Sequence, residues 1–367
     1  MDNSEAWLLL NKIKGLGIVK IKKLLTVHEK AENIFKQKSF PDYIKLNEET
    51  KEAIHQANSD MICNDLEWLA KDNNHILPIT HDLYPSLLKK SDSPPPLLYI
   101  TGDPNVLLQP QLAVVGSRNA TAVGLKNTYS FCSSLAAGGL TITSGMALGV
   151  DGTAHKAAIE AKGTTVAVMG NGLDTVYPAK HRELAHLIAQ NGALVSEFSI
   201  GTKPHHYNFP RRNRIICGLS LGTLVIEAGL QSGTLITARQ TMENNRPVMA
   251  IPGSIHSPLA KGCHFLIKQG AKLIESANEI IEELTPLAHS LTEDLSSKIK
   301  DIEAKEAQSD TNHEHQNILD AIAYEATSIN QIMEKTGLEI SELSSALLIL
   351  ELEDKIQALA GAQYIRV

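Results

Sequence analysis

The chain has 367 residues and a formal charge of −7; 43% of its residues are hydrophobic but only 4% are aromatic. That length suits one large domain with one or two small ones, and a core of Ile, Leu, Val and Ala, as in helix-covered parallel sheets. Composition argues against a membrane span, a signal peptide, a disulfide frame and a zinc knuckle. No long apolar run occurs, the N-terminus lacks a basic n-region, and Cys63, Cys132, Cys217 and Cys263 form no CxxC pair, so a cytoplasmic protein is expected.

Residues 1–75 carry apolar residues at helical spacing and predict a small helical module. Within it Lys14-Gly15-Leu16-Gly17 separates two helical stretches, Trp7–Ile13 and Ile18–Leu25, and Lys20, Lys22 and Lys23 follow. Such a turn can present N–H groups to a phosphate, as in helix-hairpin-helix modules; a single weak copy reads more simply as an ordinary interhelical turn. The prolines of Ser91–Pro96 close this region ahead of a strand at Leu97–Thr101. Short apolar runs then alternate with helical patterns: Leu112–Val115, Leu140–Thr143, Thr165–Met169, Leu194–Glu197, Thr223–Ile226, Val248–Ile251 and Lys272–Ile274. Repetition of this kind over residues 76–285 predicts an α/β domain, a parallel sheet with helices on both faces. Residues 286–315 are polar and charged and read as a linker. Residues 316–367 show helical patterns at Asn317–Tyr324, Ile329–Lys335 and Ile340–Leu352, then an extended end at Gln363–Val367, which fits a winged-helix-like module.

Charge is unevenly placed. Residues 201–274 hold nine Lys and Arg against two acids, whereas residues 275–367 hold six against nineteen. The basic segment contains Asn208-Phe209-Pro210-Arg211-Arg212-Asn213-Arg214, three guanidiniums beside an aromatic ring. Basic residues interleaved with an aromatic form the footprint of a polyanion, above all a single strand whose bases stack. With two acids in the segment, local ion pairing cannot absorb all of this charge.

Ligands of an open parallel sheet lie beyond the carboxyl ends of its strands. Gly116-Ser117-Arg118-Asn119 follows the strand at Leu112–Val115 and opens a helix, so its N–H groups, the helix dipole and the Arg118 fork all favour an anion. Ser144-Gly145 begins the next such loop, Gly170-Asn171-Gly172 another, and Ser232-Gly233-Thr234 opens the helix after Thr223–Ile226. Enzyme templates fit poorly. There is no GxxxxGK[ST] and no GxGxxG, and no nucleophile stands with a paired base. Asp151 and His155, four apart on one helical face, could serve a metal or acid-base role, though Asp151 reads more simply as a helix N-terminal residue, and His205-His206 lack a third metal ligand. No catalytic residue, metal or cofactor is expected.

The set of motifs resembles the DprA/Smf family of DNA-processing proteins. It includes Pro96-Leu97-Leu98-Tyr99, Val115-Gly116-Ser117-Arg118, Ser144 through Asp151 with Ala154-His155, and Gly170 through Asp174 with Tyr177-Pro178. Phe209 through Ile216, Glu227-Ala228 with Ser232 through Ala238, Pro252-Gly253 and Gly262-Cys263 complete it, over roughly residues 75–285. The resemblance implies an extended Rossmann domain that binds single-stranded DNA without catalysis, forms a homodimer and passes the strand to the RecA recombinase. Carried onto this chain, it assigns phosphate contacts to Arg118, Arg211, Arg212, Asn213 and Arg214 and to the loops at Gly116, Ser117, Ser144, Gly145, Gly170, Gly233 and Thr234. Phe209 would lie against a base, and Lys203 joins the set from a looser part of the pattern. The C-terminal helix Ile340–Leu352 bears Glu342 and Glu351 and no Lys or Arg, which would repel a DNA groove; the module reads as a protein-contact or regulatory element. The alternative reading is a Rossmann-like enzyme acting on a nucleotide or ribosyl phosphate through the same loops.

Overall fold

The structure is a computed structural model that describes residues 1–284, 287, 316–322, 327–338, 340–352, 356–359 and 363–366; the expected linker lies outside the described residues save for Leu287. Two compact units divide the chain, residues 1–300 and 301–367.

The first unit is built on nine strands: β1 (Asn74–Pro78), β2 (Leu97–Gly102), β3 (Gln111–Val115), β4 (Thr141–Ser144), β5 (Thr165–Val168), β6 (Gly192–Ser196), β7 (Gly222–Val225), β8 (Val248–Ala250) and β9 (Lys272–Leu273). Their order across the sheet is β1-β2-β6-β5-β4-β3-β7-β8-β9. From β6 to β9 every neighbour is parallel, with Leu112 opposite Gly222 and Ile142 opposite Thr165. β1 and β2 are the exception: they pair antiparallel with each other, and β2 runs antiparallel to β6. The sequence pattern could not show this direction. Leu97, Leu98, Tyr99 and Ile100 are all buried, because layers cover both faces, and so read like a parallel strand.

Alternation along β3 sorts the two layers. Leu112 and Val114 pack with Cys132 and Leu135 of α7 (Ala122–Ala137) and Val150 and Ala154 of α8 (Val150–Glu160). Ala113 and Val115 face the other way, in the cluster that holds Ile215 of α10 (Asn208–Leu219), Ala238 of α11 (Gly233–Glu243) and Leu266 of α12 (Lys261–Lys268). The N-terminal helices α1 (Asn3–Lys12), α2 (Ile18–His28) and α5 (Cys63–Leu69) belong to the same unit and share that second core, through Trp7, Leu8, Ile21, Leu24 and Trp68. Asp2 and Glu5 close a capping box on α1. Buried Asp65 ties the parts together: it pairs with Lys12 at 2.5 Å and accepts from the Tyr99 hydroxyl and the Ile200 N–H.

The second unit packs helices Gln316–Ala321, Ile329–Thr336 and Ile340–Leu352 with a three-stranded antiparallel sheet formed by Thr327–Ser328, Gln363–Arg366 and Ile356–Leu359 in that order. Ile318, Leu319, Ile332, Leu343, Leu347 and Ile356 form its core. Ser328 and Gln331 cap the middle helix at its start, and Gly337, left-handed at φ 70°, ends it. This is the winged-helix arrangement.

Candidate functional site

Strand order reverses around β3. The chain goes from β3 to β4 on one side through α7, whereas β7, on the other side of β3, sends α11 to the opposite face. A crevice opens where the two connections part, at the carboxyl ends of the strands. Here it is a groove of about 740 Å³, lined by Gly116, Ser117, Arg118, Asn119, Gly233 and Thr234 on its two loops and by Tyr177, His206, Phe209, Arg212 and Asn213 opposite.

The small residues predicted as anion loops have a more particular role than turn-making. A Cβ on Gly116 would strike Val150, and one on Gly149 would strike the carbonyls of Ser117 and Arg118. Gly149 also sits at φ 75°, a conformation glycine adopts at little cost. The loops after β3 and β4 are thus pressed together, and the Val150 N–H donates to the Ser117 carbonyl. Thr234 joins the third loop by donating to the Gly116 carbonyl at 3.2 Å. Gly233 is different: nothing lies within 4 Å of where its Cβ would be, so the groove is open above it.

Three expectations change in detail. The loop from Gly116 does not open a helix directly, since α7 begins at Ala122. Its N-terminus already holds an anion, because Glu227 accepts from the Thr121 N–H at 2.9 Å and hydroxyl at 2.6 Å. Ser144, Gly145 and Gly170 are buried under the groove. Ser144 donates to the Val114 carbonyl, Gly145 leaves room for the Arg212 guanidinium, and Gly170 for the Phe209 ring. The arginines, finally, are not equivalent.

Arg212 is 5% exposed and points inward. It donates to the carbonyls of Gly145 and Val168 and, at 3.0 Å, to Asn213. Burial pushes its pKa down to about 10, while Asp151 works in the other direction. Asp151 accepts from the N–H groups of Gly145 and Ala147, and burial raises its carboxyl while Arg212 and those N–H groups lower it. Behind them, buried His155 has its pKa pushed down to about 3 by burial, with His181 and Arg212 adding to the effect. The Thr165 hydroxyl donates to the Ile142 carbonyl, so His155 must donate to Thr165 from Nδ1 at 2.7 Å. His155 is a neutral core imidazole.

Arg211 and Arg214 turn to Glu197, a buried carboxylate just past β6, at 2.8 and 2.5 Å. Arg214 also donates to the Ser93 carbonyl. The Arg211 side chain keeps 59% of its surface exposed and lies over the Phe198 ring. Arg118 is exposed, and among the described residues no carboxylate stands within ion-pairing distance of it. Its guanidinium sits 5.7 Å from the centre of the Phe209 ring, with Arg212 at 5.9 Å. Tyr177 packs against Phe209 at 5.6 Å, and a recess of about 110 Å³ opens between these two rings and Arg118. Lys203 is exposed on the loop after β6 and does not line the groove.

Sequence reasoning missed Tyr177, His206 and Tyr207 as aromatic partners. Tyr207 stacks on His205 at 5.3 Å and meets His206 edge-on, which gives the adjacent histidines a ring-packing role. The signal was the placement of rings: in a chain with few aromatics, four of these ring-bearing side chains lie within residues 205–209. Among the described residues no cluster of three metal-ligating side chains occurs, and no helix is long and apolar enough to cross a membrane.

A groove at the switch point, with an unpaired arginine over an aromatic pair, stands on residues that match known proteins. The family model described as DNA recombination-mediator protein A matches residues 75–285, and the DprA winged helix domain matches residues 303–362. Protein Smf of Escherichia coli (strain K12) is 42% identical over 301 residues, 82% of this chain and 79% of its own length. Protein Smf of Synechocystis is 34% identical over the whole of both chains. Among solved structures, DNA processing protein A from Streptococcus pneumoniae superposes with a TM-score of 0.67 at 35% identity, covering 77% of this chain and 98% of that one. DNA processing protein A from Helicobacter pylori, described for its single-stranded DNA binding mode, superposes with a TM-score of 0.53 at 28% identity, covering 59% of this chain and 96% of that one. The chain belongs to the DprA/Smf family of DNA-processing proteins.

Proposed function

We propose that the chain binds single-stranded DNA in the groove over β3 and β7, protects it during natural transformation and passes it to the RecA recombinase. The observation that carries this reading is Arg118, exposed and unpaired beside the Phe209–Tyr177 platform. A guanidinium takes a phosphate oxygen, the ring faces take bases of any kind, and the open space above Gly233 leaves room for the backbone. None of these contacts reads sequence, so binding should be tolerant of base composition.

The protein works without chemistry of its own in this reading. The acid that lines the groove and the core imidazole behind it are already engaged: Asp151 with two backbone N–H groups, His155 with Thr165. Homodimerisation and a cytoplasmic setting complete the proposal. Fluorescence anisotropy with a labelled oligonucleotide, titrated with salt, tests the central claim. The expected result is oligonucleotide binding that weakens with salt and that a mononucleotide displaces poorly. Equal affinity for the mononucleotide would favour the enzyme reading instead. Light scattering checks the dimer, and RecA filament assembly on coated single strands, with and without this protein, checks the transfer.

A further inference from the structure

The N-terminal helices carry a second local concentration of positive charge. Residues 14–45 hold eight lysines against three acids, whereas residues 46–75, in the same set of helices, hold two against seven. Ion pairs in this part of the molecule join the Met1 N-terminus to Glu5, Lys12 to Asp65 and Lys51 to Glu48; among the described residues none within 4.0 Å involves a lysine of residues 14–45. Lys14, Lys22, Lys23, Lys30, Lys36, Lys38 and Lys45 are exposed.

Hydrogen bonds show which of these lysines are neighbours. Lys20 reaches back to the Gly15 carbonyl at 2.9 Å, next to Lys14 in the hairpin between α1 and α2. Lys23, one turn on from Lys20, reaches the Tyr43 carbonyl at 3.5 Å, and Lys45 follows two residues later. The result is a strip of Lys14, Lys20, Lys23 and Lys45 around Tyr43, a ring 58% exposed, with Asp42 at its edge. Cations around an aromatic ring parallel the pairing of Arg118 with Phe209 in the groove, here with lysine in place of arginine.

A short chain of contacts leads from the flank of that groove to the hairpin that carries the strip. Past Phe209 comes the exposed side of Arg211, held by Glu197, whose backbone carbonyl accepts from Asn11 at 3.4 Å. Asn11 is three residues before Lys14.

We propose that the lysine strip of the first helical hairpin is a second contact for the sugar-phosphate backbone, taking up a single strand where it leaves the groove. The proposal rests on the single-strand reading of the groove. Lysines are point charges without a planar fork, so the strip holds phosphates without selecting bases. The contact concerns long strands only. A short oligonucleotide of about six nucleotides, near the lower end of single-strand site sizes, fills the groove and does not reach it.

The test uses the full chain and the variant K14Q/K20Q/K23Q/K45Q, which removes the charge while leaving a polar side chain at each position. Both are measured with oligo(dT) of about six and about forty nucleotides across a salt series, with R118A alongside. On the long strand the variant should bind at least about tenfold more weakly at low salt. Its salt slope should fall by about 2 to 3, at ~0.7 for each lost phosphate contact on a single strand. Binding of the short strand should not change. Unchanged slope and affinity on the long strand would overturn the proposal, as would an equal loss on both lengths, which would place the lysines in the one groove site. If R118A changes nothing on either length while the lysine variant still loses the long strand, the groove reading falls and the hairpin contact stands. No wild-type binding at either length overturns both.

Discussion

The loop after β3 and the first two turns of α10 both present arginine to the same groove, and in sequence α10 is the more basic by three to one. The structure reverses that weight. Arg118 stands exposed and unpaired, whereas Arg212 is buried on two carbonyls and Arg211 and Arg214 share one buried carboxylate. A guanidinium already satisfied inside the protein gains little from a phosphate, because binding would first have to break its existing bonds. Local charge counts therefore overstate the field that α10 offers a ligand. What α10 contributes is the Phe209 ring and a rigid frame, with Arg212 holding the loops of β4 and β5 in register.

The largest effect that would break this contrast is on folding. Arg212→Ala should destabilise the protein by about 3–5 kcal/mol, because it leaves Asp151 buried without its cation and two carbonyls without a donor. Urea unfolding measures it; a loss under about 1 kcal/mol would return Arg212 to the ligand-binding set. Acidification probes the same buried cluster. The folded pKa of His155 is about 3 against an ordinary 6.5, so the native state holds fewer protons there and its stability is full above pH 6.5. Stability should fall as pH drops through that window, by about 2 kcal/mol at about pH 5, at ~1.4 kcal/mol per pH unit. Asp151, whose carboxyl is raised, acts with the opposite sign and offsets part of this as pH falls through its raised folded value toward the ordinary carboxylate value. Unfolding curves of wild type and His155→Gln should differ in their acid slope; identical slopes would mean His155 is protonated in the fold. Next comes the platform. Phe209→Ala should weaken single-strand binding by ~1–3 kcal/mol on oligonucleotides of any base composition. A loss confined to one base type would make the ring a specificity element.

Much of this was legible in the chain. Val248–Ile251 and Thr165–Met169 mark their strands to within a residue, since apolar runs bounded by Pro, Gly and Asn have few other homes. The glycine-rich loops were placed correctly at the strand ends, because strand–helix alternation fixes which end faces the ligand. Partnerships across the fold were not legible. Glu197 is 14 and 17 residues from the arginines it holds, and Glu227 lies 106 residues from the helix start it caps. No periodicity or local count encodes such pairs; they exist only once β3, β6 and β7 lie in one sheet. The direction of β2 was hidden for a similar reason, as burial on both faces erases the alternation that separates an antiparallel strand from a parallel one.

The smallest effect is the sharpest test of the contrast. Arg118 touches solvent, an aromatic ring and no carboxylate, so Arg118→Ala should leave stability within about 0.5 kcal/mol. Its cost should fall on binding alone. Losing one phosphate contact releases one counterion fewer, so the slope of log affinity against log salt should drop by ~0.7 on a single strand, equally for every base composition. Arg211→Ala makes the natural partner experiment. Its guanidinium is partly exposed but tied to Glu197, so its slope change should be smaller than that of Arg118→Ala, and some stability should be lost as well. If Arg211→Ala lowers the slope as much as Arg118→Ala and leaves folding untouched, the Glu197 pair opens to let Arg211 reach the strand. The two regions would then share the phosphate contacts after all.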